Sequence, residues 1–228
     1  MRGAGKDTTG RDLLYRYYGQ LELLDLRFPI DENHVRISFT WYDAFSKKPI
    51  SQYSLAYEKA SIIFNIAATL SAIAAGLDRS DSDGLKRAFH SLQASAGMFM
   101  YINDNFLHAP SSDLSRESVK LLSSIMLAQA QECVCQYQIA DGKTGKIVAK
   151  LANQASILFS TAIEGLSEQV SQGTFERVWL FLCQVRPTPV CLTTGQTEIF
   201  LISSAILSCS RGYPSRRGGS CTSKTQHC

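Results

Sequence analysis

The chain has 228 residues, of which 45% are hydrophobic and 19% charged, and its formal net charge is +3. This length and composition suit one soluble globular domain, alone or followed by a tail. The lysines and arginines are interspersed with acids, which excludes the one-sided basic stripe that nucleic-acid binding requires, so we expect no nucleic-acid partner.

The N-terminus and the cysteines predict the cellular compartment. The first twelve residues, MRGAGKDTTGRD, contain no apolar segment that could act as a secretory signal. The chain has seven cysteines, an odd number, and Cys133 and Cys135 lie two residues apart in a helical pattern, so their side chains point in different directions. We therefore expect a cytosolic protein with reduced thiols.

The N-terminal part of the chain predicts one helix and one strand. Residues 1–11 are predicted to be disordered, and residues 12–27 are predicted to form an amphipathic helix that ends before Pro29. Residues 35–41 alternate apolar and polar side chains, which is typical of a half-buried strand, and Lys48-Pro49 breaks the chain afterwards. A single strand implies a partner strand that the chain lacks.

The segment from Tyr57 to Leu77 predicts a buried helix. After Lys59 it carries no charge, and alanines separate large aliphatic residues that recur at steps of three and four. A membrane span is the alternative, but polar side chains interrupt the run and alanine supplies much of its length. We therefore interpret it as the central helix of a multi-helix protein, followed by a turn at residues 81–84.

Three long helices are predicted to follow. The first runs towards Pro110, the second begins near Asp113 or Ser115, and Gly142 and Gly145 mark the reversal into the third. Their apolar faces are Leu85, Phe89, Leu92, Ala96, Phe99 and Phe106, then Val119, Leu122, Met126, Ala130 and Cys133, then Ile147, Leu151, Ala155, Leu158 and Ala162.

The character of the sequence changes at Gln184. Residues 185–228 contain a single acid, Glu198, and four of the seven cysteines, with an apolar run from Ile199 to Leu207 that is too short to span a bilayer. No helical pattern continues into this segment. We interpret it as an unrelated tail, either disordered or translated from a retained intron, since Gln184-Val185 can be encoded as an exon end followed by an intron start.

Catalytic and metal-binding motifs are not apparent in the sequence. The segment Gly3-Ala4-Gly5-Lys6 lacks the hydroxyl residue and the preceding strand of a phosphate-binding loop. A calcium loop around residues 79–90 would need ligands where Arg79 and His90 stand. The four histidines share no metal-ligand spacing. We therefore expect no enzyme activity, no metal and no cofactor.

Four blocks resemble the BRO domain of Alix-like endosomal-sorting scaffolds. They are ISFTWYDAF at residues 37–45, the helix at residues 57–75, IMLAQAQE at residues 125–132 and AKLANQA at residues 149–155. The resemblance covers residues 12 to about 182, and QASAGMFMYINDNFLHAPSSDL most resembles the fungal vacuolar-sorting members. It implies a mostly α fold, a curved tetratricopeptide-like helical solenoid with a small β element near the N-terminus.

The resemblance also implies a function and a binding site. Family members are non-catalytic scaffolds of the multivesicular-body pathway that bind the C-terminal amphipathic helix of an ESCRT-III filament subunit. The positions that match the family's helix contacts are Val134, Ile147 and Leu151. Several animal members carry an aromatic residue where Val134 stands, so this contact is smaller here.

The resemblance sets the expected boundaries and location. It identifies residues 12–184 as a partial BRO domain truncated at both ends, cytoplasmic and recruited to endosomes as a peripheral protein through its partners. A deubiquitinating enzyme is a further implied partner, through regions absent from this chain. Two alternatives stay open at this point: an ambient-pH signalling adaptor of the same domain family, and a truncated gene product without independent function.

Overall fold

The computed structural model describes residues 5–106, 110–175 and 177. The described part is mostly helical, as predicted, with one small sheet near the N-terminus, and each helix packs against the next one in the sequence. The elements are α1 (Thr8–Asp25), β1 (Phe39–Tyr42), β2 (Pro49–Gln52), α2 (Leu55–Ala75), α3 (Ser82–Asn105), a 3-10 turn (Ser112–Leu114), α4 (Arg116–Ala140) and α5 (Gly145–Ser171).

Helix α2 lies at the centre of the core, as its sequence predicts. By itself it is long and apolar enough to cross a membrane, but 78% of its most apolar window is buried inside the protein. Its Phe64 ring meets Phe99 of α3 edge to face, with 5.4 Å between ring centroids. The Ser95 hydroxyl of α3 donates to the Ala67 carbonyl over 2.8 Å, a close approach that the small residues of α2 permit.

Helix α1 begins earlier than predicted. Asp7 caps it by accepting a hydrogen bond from the backbone N–H of Gly10 over 2.8 Å, so residues 8–11, which we assigned to a disordered segment, are helical. The prediction relied on the apolar periodicity, which starts only at Leu14, and gave no weight to the capping aspartate. Helix α1 ends at Asp25, ahead of Pro29.

The strand prediction was wrong in its extent and in its partner. Val35 and Ile37 are exposed and precede the strand, because only Phe39 and Trp41 of the alternating residues reach the core. The partner is β2, which follows the Lys48-Pro49 break and pairs antiparallel with β1, with Trp41 opposite Ile50. The chain therefore supplies the partner strand of β1 itself, directly after the turn, so the expectation of a missing partner strand was wrong.

Two buried aspartates attach this hairpin to the start of α4. The Ala44 N–H donates to Asp113 over 2.7 Å, and the Ser112 hydroxyl donates to Asp43 over 2.8 Å. The backbone N–H groups of Phe45 and Ser46 also donate to Asp43. Since Asp43 and Asp113 are 1% and 0% exposed, these bonds replace water and fix the loop after β1.

This arrangement predicts an acid-sensitive contribution to stability. Burial alone would raise the pKa of Asp43, but hydrogen bonds from Ser46, Ser112 and Asp113 outweigh burial and lower it. Because the pKa of Asp43 is lower in the folded protein than in the unfolded chain, its ionised carboxylate stabilises the fold at any pH above the unfolded pKa of about 3.9. This stabilisation is lost as the pH falls through the pKa of the folded state. Asp43→Asn should cost about 1–3 kcal/mol of unfolding free energy at pH 7.

The measurement is urea unfolding between pH 7 and pH 2 for the parent chain, Asp43→Asn and the exposed control Asp83→Asn. Below about pH 4 the stability of the parent should approach that of Asp43→Asn, while Asp83→Asn should follow the parent throughout. Parallel curves for the parent and Asp43→Asn would contradict the assignment.

Candidate binding groove for a partner helix

Helices α4 and α5 form an antiparallel pair around a tight turn, as the two glycines predict. Gly142 adopts a left-handed backbone, with φ of 68°, and Gly145 opens α5. The Lys143 N–H donates to the Gln138 carbonyl over 3.1 Å, which closes the end of α4. The turn therefore returns the first residues of α5 alongside the last turns of α4.

Helix α4 is buried on two sides and accessible along one narrow stripe. On one side the Ser123 hydroxyl donates to the Ala96 carbonyl of α3 over 3.1 Å, and on the other Leu121 packs beside Gly165 of α5. Between these contacts, residues three or four apart remain partly or fully accessible. We call this row the α4 stripe; it consists of Ser124, Leu127, Gln131, Val134 and Gln138.

The predicted residues of α5 lie beside this stripe. The buried row of α5 consists of Ala155, Phe159, Ala162, Leu166 and Gln169. Leu151 is half-buried at the edge of that row, and Ile147, one turn earlier, is 45% exposed. The Gln131 amide nitrogen approaches the Leu151 carbonyl at 3.5 Å, which joins this edge of α5 to the α4 stripe.

The structure thus brings the three predicted residues to one groove. Val134 is one turn from Gln131 on α4, and Leu151, whose carbonyl Gln131 approaches, is followed one turn back by Ile147 on the neighbouring edge of α5. All three keep solvent access, so none is a core residue of the described part of the chain. Val134 on α4 and Ile147 and Leu151 on α5 place accessible apolar side chains on both sides of the junction between the two helices. Such an arrangement can accept the apolar ridge of a third helix.

Leu127 is a candidate contact that the sequence analysis missed. It lies on the α4 stripe, seven residues before Val134, and is 41% exposed. That spacing is two helical turns, so the accessible apolar surface extends along α4 past the predicted residues. Its spacing of seven residues from Val134 could have identified Leu127 from the sequence. It was missed because its apolar neighbours in the sequence are buried, and nothing in the sequence distinguishes Leu127 from them.

The α3 side of the groove carries an aromatic and a cation. The Lys86 ammonium lies over the Tyr137 ring, 5.1 Å from its centroid, and Tyr137 follows Val134 by one turn of α4. The sequence analysis did not find this pair, because it depends on the antiparallel register of α3 and α4.

The two cysteines of α4 are unsuited to nucleophilic chemistry. Cys133 and Cys135 are both buried, and neither forms a disulfide. The other five cysteines lie outside the described residues. Burial, with a smaller effect from the Glu132 carboxylate, raises the pKa of Cys135, so its thiol stays protonated at neutral pH. Within the described ranges, no three potential metal ligands lie together.

The family follows from a comparison with known sequences. The sequence model of the BRO1-like domain matches residues 1–188, which is most of the chain. The chain belongs to the BRO1-like domain family. The resemblance seen in the four sequence blocks is thereby confirmed, and the match extends beyond the predicted limits of residues 12–184 at both ends.

Two similar relatives are vacuolar protein-sorting proteins of fungi. The chain is 66% identical over 187 residues to vacuolar protein-sorting protein bro-1 of Neurospora crassa, covering 82% of the chain and 18% of that protein. It is 64% identical over 187 residues to the Gibberella zeae protein BRO1, covering 82% of the chain and 19% of that relative. The chain thus spans less than a fifth of the length of these relatives.

A solved BRO1 structure shares the fold. The structure of an ALIX BRO1 CHMP4C complex matches with a TM-score of 0.73 and 31% sequence identity, covering 89% of this chain and 56% of that chain. The relative is therefore a BRO1 domain solved together with CHMP4C.

Proposed function

We propose that this chain belongs to a non-catalytic scaffold of endosomal sorting and binds the C-terminal helix of an ESCRT-III filament subunit. The binding surface is the groove between the α4 stripe and the first turns of α5, with Val134, Ile147 and Leu151 as its apolar contacts. The observation that carries the proposal is the solvent exposure of Ile147, 45%, at a position matching the family's helix contacts. The ALIX BRO1 complex with CHMP4C supports the same class of partner.

An amphipathic helix fits the chemistry of this groove. Its apolar residues, three or four apart, would meet Val134 on one wall and Leu151 and Ile147 on the other. Burying one large aliphatic side chain contributes about 1.5–3 kcal/mol. Three partly buried side chains and their counterparts can supply the roughly 8 kcal/mol of a micromolar complex, after the costs of association.

The sorting branch is favoured over the ambient-pH adaptor. Relatives that are 64% and 66% identical carry vacuolar protein-sorting names, which supports the sorting role. We place the protein in the cytoplasm and attribute its recruitment to endosomes to its partners, a location that the sorting names of these relatives support. Recruitment of a deubiquitinating enzyme belongs to this proposal for the whole protein, and no described residue is assigned to it.

A direct binding measurement tests the proposal. A fluorescently labelled peptide of the CHMP4C C-terminal helix is titrated with the 228-residue chain, and a peptide of scrambled sequence is the control. Saturable binding near micromolar Kd is expected for the helix alone. Equal binding of the scrambled peptide would reject the proposal. Absence of binding up to about 1 mM would also reject it, because the binding free energy would then be weaker than about 4 kcal/mol.

A further inference from the structure

Five large apolar side chains are exposed between the last turn of α1 and the start of β1. They are Leu23, Leu26, Phe28, Val35 and Ile37, and their exposure ranges from 39% for Val35 to 83% for Leu26. We call this set the apolar loop surface. Soluble monomers rarely expose such a concentration of apolar side chains, and where they do, the patch usually marks an interaction site.

Hydrogen bonds hold this loop in one folded shape. The Phe28 N–H donates to the Leu24 carbonyl over 3.0 Å, and the Val35 N–H donates to the Pro29 carbonyl over 3.1 Å, so the two ends of the loop lie together. Ile30, between them, is buried and anchors the loop on the core. The apolar side chains are therefore presented to solvent by an ordered loop.

The rim of the apolar loop surface carries charges of both signs. Within the described residues, Arg27, Arg36 and Glu32 are exposed and form no ion pair, whereas Asp31 pairs with His34 at 2.8 Å. The Arg36 Nε–H donates to the Glu32 backbone carbonyl over 2.7 Å, which places a cation beside an anion. Such a rim can meet a copy of itself in reverse order, cation against anion on both sides of a two-fold axis.

Charge and area favour a second copy of the chain over a lipid bilayer. Anionic headgroups would attract the arginines but repel Glu32, and also Glu22 and Asp25, which share the one ammonium group of Lys59 at 3.0 and 2.7 Å. Five side chains exposed to this extent form a patch of roughly 400–500 Å². With its charged rim, the patch approaches the area of about 800 Å² that each partner buries in a standard interface.

From these observations we infer that the apolar loop surface binds a second copy of this chain about a two-fold axis. Leu26 and Phe28 of each copy pack at the centre of the interface, and Arg36 of each copy faces Glu32 of the other. The candidate groove lies roughly 25 Å further along α4 than the turn that holds the hairpin, so the dimer leaves it open. A dimer therefore presents two grooves, which goes beyond the proposed function.

Sedimentation equilibrium of the 228-residue chain, from about 1 µM to about 0.5 mM, measures the self-association. The parent chain should show a reversible monomer–dimer equilibrium with Kd of about 1–100 µM. Leu26→Glu should raise this Kd at least about tenfold, because the new carboxylate loses its water at the apolar centre of the interface. Ile157→Glu, which changes another exposed side chain on α5, should leave the Kd unchanged. Both variants should melt like the parent, since neither side chain is part of the core.

Two charge reversals test the two-fold arrangement. Arg36→Glu and Glu32→Arg should each weaken self-association by about fivefold or more, because each substitution reverses two symmetry-related pairs. An equimolar mixture of the two variants should dimerise nearly as tightly as the parent, since every cation of the mixed dimer again faces an anion. About 0.5 M salt should reduce these differences, because it shortens the screening length to a few ångströms.

The opposite results overturn the inference. A chain that stays monomeric up to about 0.5 mM rejects it, and flotation of this monomer with vesicles of phosphatidylcholine and phosphatidylserine would assign the surface to a bilayer instead. A mass that rises beyond two chains, a dimer that survives Leu26→Glu, or a mixture of the charge variants that remains monomeric also rejects it. None of these results depends on peptide binding, so the proposed function is tested separately.

Discussion

Ile147→Asp should abolish binding of the partner helix and leave the fold intact. Ile147 is 45% exposed, so an aspartate there is hydrated in the free protein and changes little of the core. On binding, the carboxylate must lose its water opposite an apolar helix face, and the isoleucine contact is lost as well. We expect a loss of at least about 3 kcal/mol, or more than about a hundredfold in Kd.

The same helix supplies a matched control. Ile157 is 50% exposed, lies ten residues later on α5 and points away from the α4 stripe, so Ile157→Asp should retain binding. Peptide titration and circular dichroism melts are measured for both variants. Equal loss of binding in the two variants, or a large fall in melting temperature for Ile147→Asp alone, would show that Ile147 is not a groove contact. Leu151→Asp should also abolish binding, with a modest stability loss because Leu151 is half-buried.

Glu58→Ala should destabilise the fold by about 3–5 kcal/mol, the largest stability loss that we expect from a single polar side chain. Glu58 is 2% exposed in the first turn of α2, where the helix dipole favours its charge. It accepts hydrogen bonds from the Tyr17 hydroxyl of α1 over 2.8 Å and from the Trp41 indole N–H of β1 over 2.5 Å. One carboxylate thus joins α1, β1 and α2.

The measurement is thermal and urea unfolding of Glu58→Ala beside Glu168→Ala, which removes the same side chain from the exposed face of α5. The melting temperature should fall by roughly 10 °C for Glu58→Ala and by no more than about 2 °C for Glu168→Ala. A fall below 3 °C for Glu58→Ala would mean that the packing of α1 and β1 on α2 does not depend on this carboxylate.

The helical part of the fold could be predicted because its pattern is local. The apolar residues of α2 occur on every side of the helix, and Gly142 marks a reversal that requires a left-handed backbone. The start of α1 and the limits of β1 depend on single contacts, the Asp7 cap and the burial of Phe39. The periodicity of apolar residues gives no information about such single contacts, so the predicted start of α1 and the predicted limits of β1 were wrong.

The candidate groove was only partly predictable for a related reason. Ile147 and Leu151 were identified through the family resemblance, whereas Leu127 and Lys86 belong to the groove through the packing of α3 and α4. That register depends on contacts such as the one from Ser123 to Ala96, which join residues far apart in the sequence. A single sequence shows which face of a helix is apolar, but not which neighbouring helix leaves part of it uncovered.

Methyl nuclear magnetic resonance of the 228-residue chain, labelled at isoleucine, leucine and valine, tests the central claim most directly. On addition of the CHMP4C C-terminal helix, the methyl signals of Val134, Ile147 and Leu151 should shift together and saturate with one Kd, with Leu127 following them. The signals of Ile157 on the outer face of α5 and of Ile62 in the core should stay in place. Saturating shifts at Ile157 or elsewhere, with Val134, Ile147 and Leu151 unchanged, would contradict the groove as the binding surface.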